Sequence, residues 1–293
     1  MSTPASTIFE ENRSRLFGIA YRMVGTVMDA EDLVQDTYLR WQTATLADIR
    51  SPQAWLTTAI TRLCINHLQS ARVQRESYVG PWLPEPLLEQ RHSEPDQNGA
   101  LADSLSFAFL LLLETLTPTE RAVFILREAF EYEFAEIATV VEKSEANCRQ
   151  ILTRARKRLD ERRPRYDASE ADAEKLVPSF LAAVRNGDLN ALLEAMANDV
   201  VLIADGGGKA TAVPRPVHGP EPIAKLLINL SRRYQNAAEE IHRAIVNGLP
   251  GFVSFLDKVP RRVVAFGVQG GRINALFVIT NPDKLRHIAY PAK

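Results

Sequence analysis

Residues 145–157 are where this chain is best equipped to meet a nucleic acid. Cys148, Leu152, Ala155 and Leu159 recur at helical spacing, so Glu145, Arg149, Gln150, Thr153, Arg154 and Lys157 are left on the outer face. Arg and Gln can bond base edges bidentately, and the later Arg and Lys suit phosphates. Ser144 stands at the N-cap position of this helix. Before it, residues 132–141 pattern as a short helix that turns Phe134, Ile137, Ala138 and Val141 inward, and Glu142-Lys143-Ser144-Glu145 makes the turn. Two short helices joined this way form a helix-turn-helix, whose second helix enters the major groove through Ser144, Glu145, Arg149, Gln150, Thr153, Arg154 and Lys157.

Two further helical stretches carry polar chemistry. In residues 29–41, Ala30, Leu33, Val34, Thr37 and Trp41 share one face, while Asp32 and Asp36 lie one turn apart on another. After Pro52, the residues Leu56, Ala59, Ile60, Leu63, His67 and Ala71 follow core spacing. Thr58, Thr61, Arg62, Ile65, Gln69 and Arg72 follow it on the opposite side. Hydroxyls, amides and guanidiniums in that pattern form a surface able to bond phosphates and splayed bases, although a plain solvated helix face carries the same residue types.

The residues argue less for enzymology. His218, His242, His287, Asp199, Asp205 and Asp257 are candidate bases by type alone, and His67 has no metal partner at helical spacing. Asp205-Gly206-Gly207-Gly208-Lys209 lacks the spacing of a phosphate-binding loop and reads as a tight turn. No catalytic residue, metal site or cofactor is expected. Cys64 and Cys148 fall inside helical patterns and read as buried thiols.

The 293 residues exceed one ordinary core, and 46% hydrophobic with 24% charged residues is globular composition. Net charge is −1, but residues 120–142 are acidic and residues 143–165 strongly basic, a local reversal that can track phosphates. No apolar run approaches the ~20 residues of a membrane helix, and the N-terminus lacks a signal pattern, so a cytoplasmic protein is expected.

The elements that must position these residues fall into blocks. Residues 1–77 read as helical, 78–100 as a Pro- and Gly-rich linker, and 101–165 as a second helical block in which Thr117 caps a helix begun by Pro118. Residues 168–293 change texture. Helical patterns over 171–185, 188–197 and 220–233 give way to strands at 200–203, 251–256, 263–268 and 273–279, an α+β order.

With Leu16-Phe17-Gly18-Ile19-Ala20-Tyr21-Arg22-Met23-Val24-Gly25 before it, the string Ala30-Glu31-Asp32-Leu33-Val34-Gln35-Asp36-Thr37-Tyr38-Leu39-Arg40-Trp41 resembles region 2 of sigma factors. The serine-capped helix ending Arg154-Ala155-Arg156-Lys157-Arg158-Leu159 resembles region 4. The resemblance implies that Asp32, Gln35 and Asp36 dock on core RNA polymerase. It also implies that residues 52–75 melt the minus-ten promoter element, with Arg62, Asn66, Arg72 and Arg75 nearest the DNA, and that the second helix of the helix-turn-helix reads the minus-thirty-five element.

Three strings narrow the subfamily: Trp82-Leu83-Pro84-Glu85-Pro86, Asp205-Gly206-Gly207-Gly208-Lys209 and Asn281-Pro282-Asp283-Lys284-Leu285. Together they resemble group-IV (extracytoplasmic-function) sigma factors with a fused C-terminal SnoaL-like domain. The implied architecture is multi-domain: two all-α domains, the second with the helix-turn-helix, then an α+β cone-shaped SnoaL-like domain. In that family the extra domain is thought to act through the linker, without a separate anti-sigma protein. The proline-stiffened linker, with Trp82 and Leu83 as an apolar anchor, suits docking.

Two alternatives stand beside this reading. The C-terminal domain could bind or convert a small hydrophobic molecule, as a sensor or an isomerase-like enzyme. Alternatively, the whole could be an ordinary helix-turn-helix regulator, which would have no use for the acidic docking helix.

Overall fold

In the computed structural model, the structure describes residues 4–45, 48–75, 78–88, 107–160, 170–234 and 239–291. The chain forms two compact units. One contains residues 1–77 and 96–163, and the other contains residues 78–95 and 164–293.

The first unit begins with α1 (Pro4–Val24), α2 (Val27–Thr43) and α3 (Pro52–Arg75). Gly25, at φ 76°, ends α1 by donating its N–H to the Tyr21 carbonyl (2.8 Å), a left-handed cap that glycine adopts without a Cβ penalty. The predicted stripe of α2 is the buried one: Ala30, Leu33, Val34, Thr37 and Trp41. The Trp41 indole donates to the Ala5 carbonyl and lies 5.4 Å from the Trp55 ring, which ties α2 to both neighbours.

α4 (Phe107–Leu113), α5 (Pro118–Glu128), α6 (Phe134–Val141) and α7 (Glu145–Asp160) follow. Thr117 caps α5 as predicted, in a reciprocal capping box with Glu120 and with Pro118 in the first turn. On α6 the buried positions are Ile137, Val140 and Val141, whereas Phe134 and Ala138 are only half-buried. The ring of Phe134 lies instead beneath the guanidiniums of Arg127 and Arg149.

The two helical blocks pack against each other, since α5 and α6 both contact α3. Arg121 donates to the Met23 carbonyl (2.6 Å) and to Glu114 (2.8 Å), and the Thr57 and Tyr132 hydroxyls share a buried bond of 2.6 Å. This packing corrects one expectation. Thr61 was placed on the polar face of its helix, but it is fully buried because the second block covers that side.

In the second unit, α8 (Glu170–Asn186), α9 (Leu189–Ala195) and α10 (Pro220–Tyr234) lie on one face of a six-stranded sheet. Its strands are β1 (Met196–Asp205), β2 (Val217–His218), β3 (Glu240–Val246), β4 (Leu249–Leu256), β5 (Val259–Gln269) and β6 (Arg272–Ile279), in the order β2-β1-β6-β5-β4-β3. Only β1 and β6 pair in parallel. Two-residue turns with positive φ at both residues, Asn247-Gly248, Asp257-Lys258 and Gly270-Gly271, join β3 to β6; this handedness matches the strand twist.

Phe180, Leu192, Ile223, Phe252, Phe266 and Leu276 build the core between helices and sheet. The alternate residues Val253, Phe255, Val263, Ala265, Phe277 and Ile279 point the other way and are buried too. The α+β make-up is the one expected, with α10 falling between β2 and β3. Strands β2 and β3 have no counterpart among the predicted ones.

Among the described residues, no helix is long and apolar enough to cross a membrane, and no group of three or more His, Cys, Asp or Glu is gathered to hold a metal ion. Cys64 and Cys148 are buried free thiols.

Candidate nucleic-acid interface and linker seat

On α2, Asp32, Gln35 and Asp36 are exposed, flanked on the same stripe by Met28 and Leu39, which are 45% and 53% exposed. Positions 28, 32, 35, 36 and 39 form one helical row. The result is an acidic strip bounded by two exposed apolar side chains, a composition suited to protein docking.

On α7, Glu145, Arg149, Gln150, Thr153, Arg154 and Lys157 are all exposed, while Cys148, Leu152, Ala155 and Leu159 are buried, as their spacing predicts. The Ser144 hydroxyl accepts the Asn147 N–H (3.2 Å) and caps the helix. Arg149 is steadied by Glu145 (2.7 Å) and by the Phe134 ring, while Arg156 and Arg158 are tied back to Glu128 and Glu120. The outward Gln150, Arg154 and Lys157 therefore stand on a helix braced from behind.

On α3, Arg62 and Asn66 are exposed, and the side chains of Arg72 and Arg75 lie outside the described residues. Arg62 is engaged. Its Nε donates to the Val140 carbonyl (3.1 Å), its Nη2 donates to the Thr139 carbonyl (3.0 Å), and Glu142 pairs with it at 3.1 Å. These carbonyls belong to the last turn of α6, where no intrahelical donor remains. Beside Arg62 opens a cleft of about 540 Å³ whose lining includes Arg40, Asp48, Arg50, Trp55 and Thr58. Guanidiniums around an indole and a hydroxyl suit an unstacked base and its phosphates.

The three strings converge in the second unit. Asp205, at the end of β1, is wholly buried. Its carboxylate accepts the Leu83 N–H (2.8 Å), the Tyr78 hydroxyl (2.5 Å) and the Lys284 ammonium (2.7 Å). Lys284, also buried, donates to the Leu83 carbonyl and lies 4.3 Å from the Trp82 ring centroid and 5.2 Å from that of Tyr78. Burial, then the Asp205 carboxylate, push the Tyr78 phenol well above its ordinary pKa.

Asn281 donates to the Tyr78 oxygen (2.9 Å), while its own carbonyl caps the Asp283 N–H and starts the 3-10 turn Pro282–Leu285. Gly207, at φ 57°, passes so close to Asn281 that a Cβ there would sit 2.2 Å from its amide nitrogen. Gly206 is fully hemmed in by the Ala210 carbonyl, and Gly208 faces Val79. Lys209 pairs with Asp283, which also takes Arg286; the Lys209 bond heads the causes holding the Asp283 carboxyl below its usual range. Leu285 is buried beside this clasp.

From Asp205 the linker runs to the far side of the sheet. Leu87 exchanges bonds with Asn247 (both 2.9 Å), and Leu88 bridges Val246. Because β6, β5 and β4 lie between β1 and β3, residues 83–88 cross three strands. Leu83, Pro84, Glu85 and Pro86 are all buried along the way. The Pro86 carbonyl can only accept, so His287 donates to it from Nε2 (2.8 Å), leaving Nδ1 3.9 Å from Glu85.

Tyr78, Asn247 and His287 were not among the predicted linker contacts. Tyr78 abuts the linker string but has no motif of its own. Asn247-Gly248 signals only a hairpin turn, and nothing in that signal points at a partner 160 residues away.

Residues 8–73 match the family model described as Sigma-70 region 2, and residues 106–159 match Sigma-70, region 4. The chain is 36% identical over 288 residues to the ECF RNA polymerase sigma factor SigJ of Mycobacterium tuberculosis, covering 94% of this chain and 91% of that one. The probable ECF RNA polymerase sigma factor SigI of the same species is 30% identical over 284 residues, covering 96% and 95%. The crystal structure of M. tuberculosis extracytoplasmic function sigma factor SigJ superposes with a TM-score of 0.75 at 34% identity, over 95% of this chain and 97% of that one.

Proposed function

This chain belongs to the ECF RNA polymerase sigma factors, and we infer that it directs promoter-specific transcription initiation under the control of its own C-terminal unit. Core polymerase supplies the chemistry, and this chain supplies recognition. Asp32, Gln35 and Asp36, with Met28 and Leu39 at the flanks, dock on the polymerase. Arg62, Asn66, Arg72 and Arg75 on α3, together with the cleft beside Arg62, take the melted minus-ten strand. On α7, Ser144, Glu145, Arg149 and Gln150 read the minus-thirty-five element, and Thr153, Arg154 and Lys157 hold its phosphates. The division into region 2 (residues 1–77), linker (78–100), region 4 (101–165) and SnoaL-like domain (168–293) serves these roles.

The observation that carries the regulatory part is the buried hub of Asp205, Lys284, Leu83 and Tyr78. A linker bonded to both members of a buried ion pair is not a passive spacer, because its departure would take from Asp205 the Leu83 N–H and the Tyr78 hydroxyl and from Lys284 the Leu83 carbonyl. The seated linker supports control in cis, with no separate anti-sigma protein required for the resting state.

In vitro transcription with core polymerase tests both parts. Promoter-dependent transcripts should appear only when the chain is added. Asp205→Asn, which loosens the seat, should change output from the same promoter by severalfold. Unchanged output with a demonstrably loosened linker would remove the regulatory claim and leave the sigma assignment standing.

A further inference from the structure

Arg62 occupies two places at once. It lines the cleft on α3, and it caps the end of α6 in the helix-turn-helix block. Two of its nitrogens are given to the Val140 and Thr139 carbonyls, which carry the negative end of the α6 dipole. The carboxylate of Glu142 completes the arrangement at 3.1 Å.

Glu142 is an unusual residue to find there. It closes α6 at φ 55°, the left-handed conformation that helices normally give to Gly or Asn. A non-glycine residue in that region carries a steric strain that glycine would avoid. What glutamate adds is a carboxylate on Arg62, and its side chain is 75% exposed, so the pairing does not come from core packing.

We propose that Glu142 is an internal stand-in for a DNA phosphate: in the closed first unit it occupies Arg62, and a single strand laid on α3 must displace it. The inference rests on the reading of α3 as the surface that meets the melted strand. While Glu142 and the two carbonyls hold the guanidinium, a phosphate arriving there brings a second anion to one cation. Once α6 leaves α3, the phosphate takes the position of the carboxylate. Region 4 then guards region 2 until the two separate, and the exposed Glu142–Arg62 pair is the part of the guard with which an arriving phosphate competes directly. This pairing should be weak enough to yield to nucleic acid, since exposed pairs of this kind contribute little.

The test uses the full chain and fluorescein-labelled 20-nucleotide oligothymidylate, with binding followed by anisotropy at low salt. Glu142→Gln should tighten binding about two- to fivefold, the range that loss of an exposed ion pair permits. Arg62→Gln should weaken binding, and the double variant should match Arg62→Gln alone. The gain from Glu142→Gln should also shrink as salt is raised.

If Glu142→Gln changes nothing while Arg62→Gln weakens binding, the guard is disproved and the α3 reading survives. A gain that persists without Arg62 would be a general charge effect and would overturn the proposal. If Arg62→Gln has no effect, the α3 reading itself falls and the guard with it. Matching thermal melts for the variants separate these results from unfolding, which the exposure of both side chains makes a small concern.

Discussion

The Asp205 carboxylate accepts three hydrogen bonds with no exposure to solvent, and one of its donors is the buried ammonium of Lys284. Asp205→Ala leaves that charge unpaired and should cost about 3–5 kcal/mol, the usual penalty for breaking a buried pair on one side. Asp205→Asn keeps the shape and part of the bonding and should cost less; denaturant unfolding of the full chain ranks the two. The same hub makes the seat alkali-sensitive. Because the Tyr78 phenol is raised by burial and by Asp205, its proton is held more tightly when the linker is seated. That contribution is fully present below the ordinary tyrosine value of about 10 and is lost as pH rises through the raised folded value. Tryptophan emission should therefore report a seat that is stable near neutrality and loosens in strong alkali, and Tyr78→Phe should abolish the shift. The sequence singled out Asp205 and its three glycines as a turn. It could not disclose that the turn is shaped by contact with Asn281, because Gly207 and Asn281 lie far apart in the chain and meet through β1–β6 pairing.

At the scale of elements, the helices are legible where one repeating stripe meets one partner. The buried face of α2 follows its spacing residue for residue, and that of α7 adds Ile151 to the predicted Cys148, Leu152, Ala155 and Leu159. Legibility fails on α3 and α6, where a second surface is covered and Thr61 and Val140 are buried beyond a single stripe. It fails again at β3, whose Glu240, His242 and Arg243 dilute the strand pattern at an exposed sheet edge, where charge is common. Two predictions belong here. Thr117→Ala removes one half of the α5 capping box and should destabilise the first unit by roughly 1 kcal/mol in thermal or denaturant unfolding. On α7, Arg149→Ala should cost about 1–3 kcal/mol of promoter affinity and relax one base preference, whereas Lys157→Ala should weaken all sequences alike and flatten the salt dependence. Finding the same loss and the same salt slope for both would place α7 outside the major groove.

For the molecule as a whole, the closed first unit is incompatible with simultaneous reading of both promoter elements. Positions thirty-five and ten are about 25 base pairs apart, roughly 85 Å along B-form DNA. A compact unit of this size is only about 40 Å across, and Arg62 touches the end of α6, which leads directly into the recognition helix. The bonds from Arg62 to α6, from Thr57 to Tyr132 and from Arg121 to Met23 must all break before both elements are bound. The chain between Arg75 and Phe107 can bridge the gap, since its covalent reach is about 100 Å. Opening can be measured directly by energy transfer between dyes on Glu11→Cys and Ala135→Cys, both exposed sites in the first unit. The native Cys64 and Cys148 will not compete for label, because burial raises both thiol pKa values and shields them. Transfer should be high in the free protein and fall sharply when core polymerase and promoter are added. Transfer that stays high in an active promoter complex would mean that the two helical blocks work while packed together. In that case α3 and α7 could not be reading elements 25 base pairs apart.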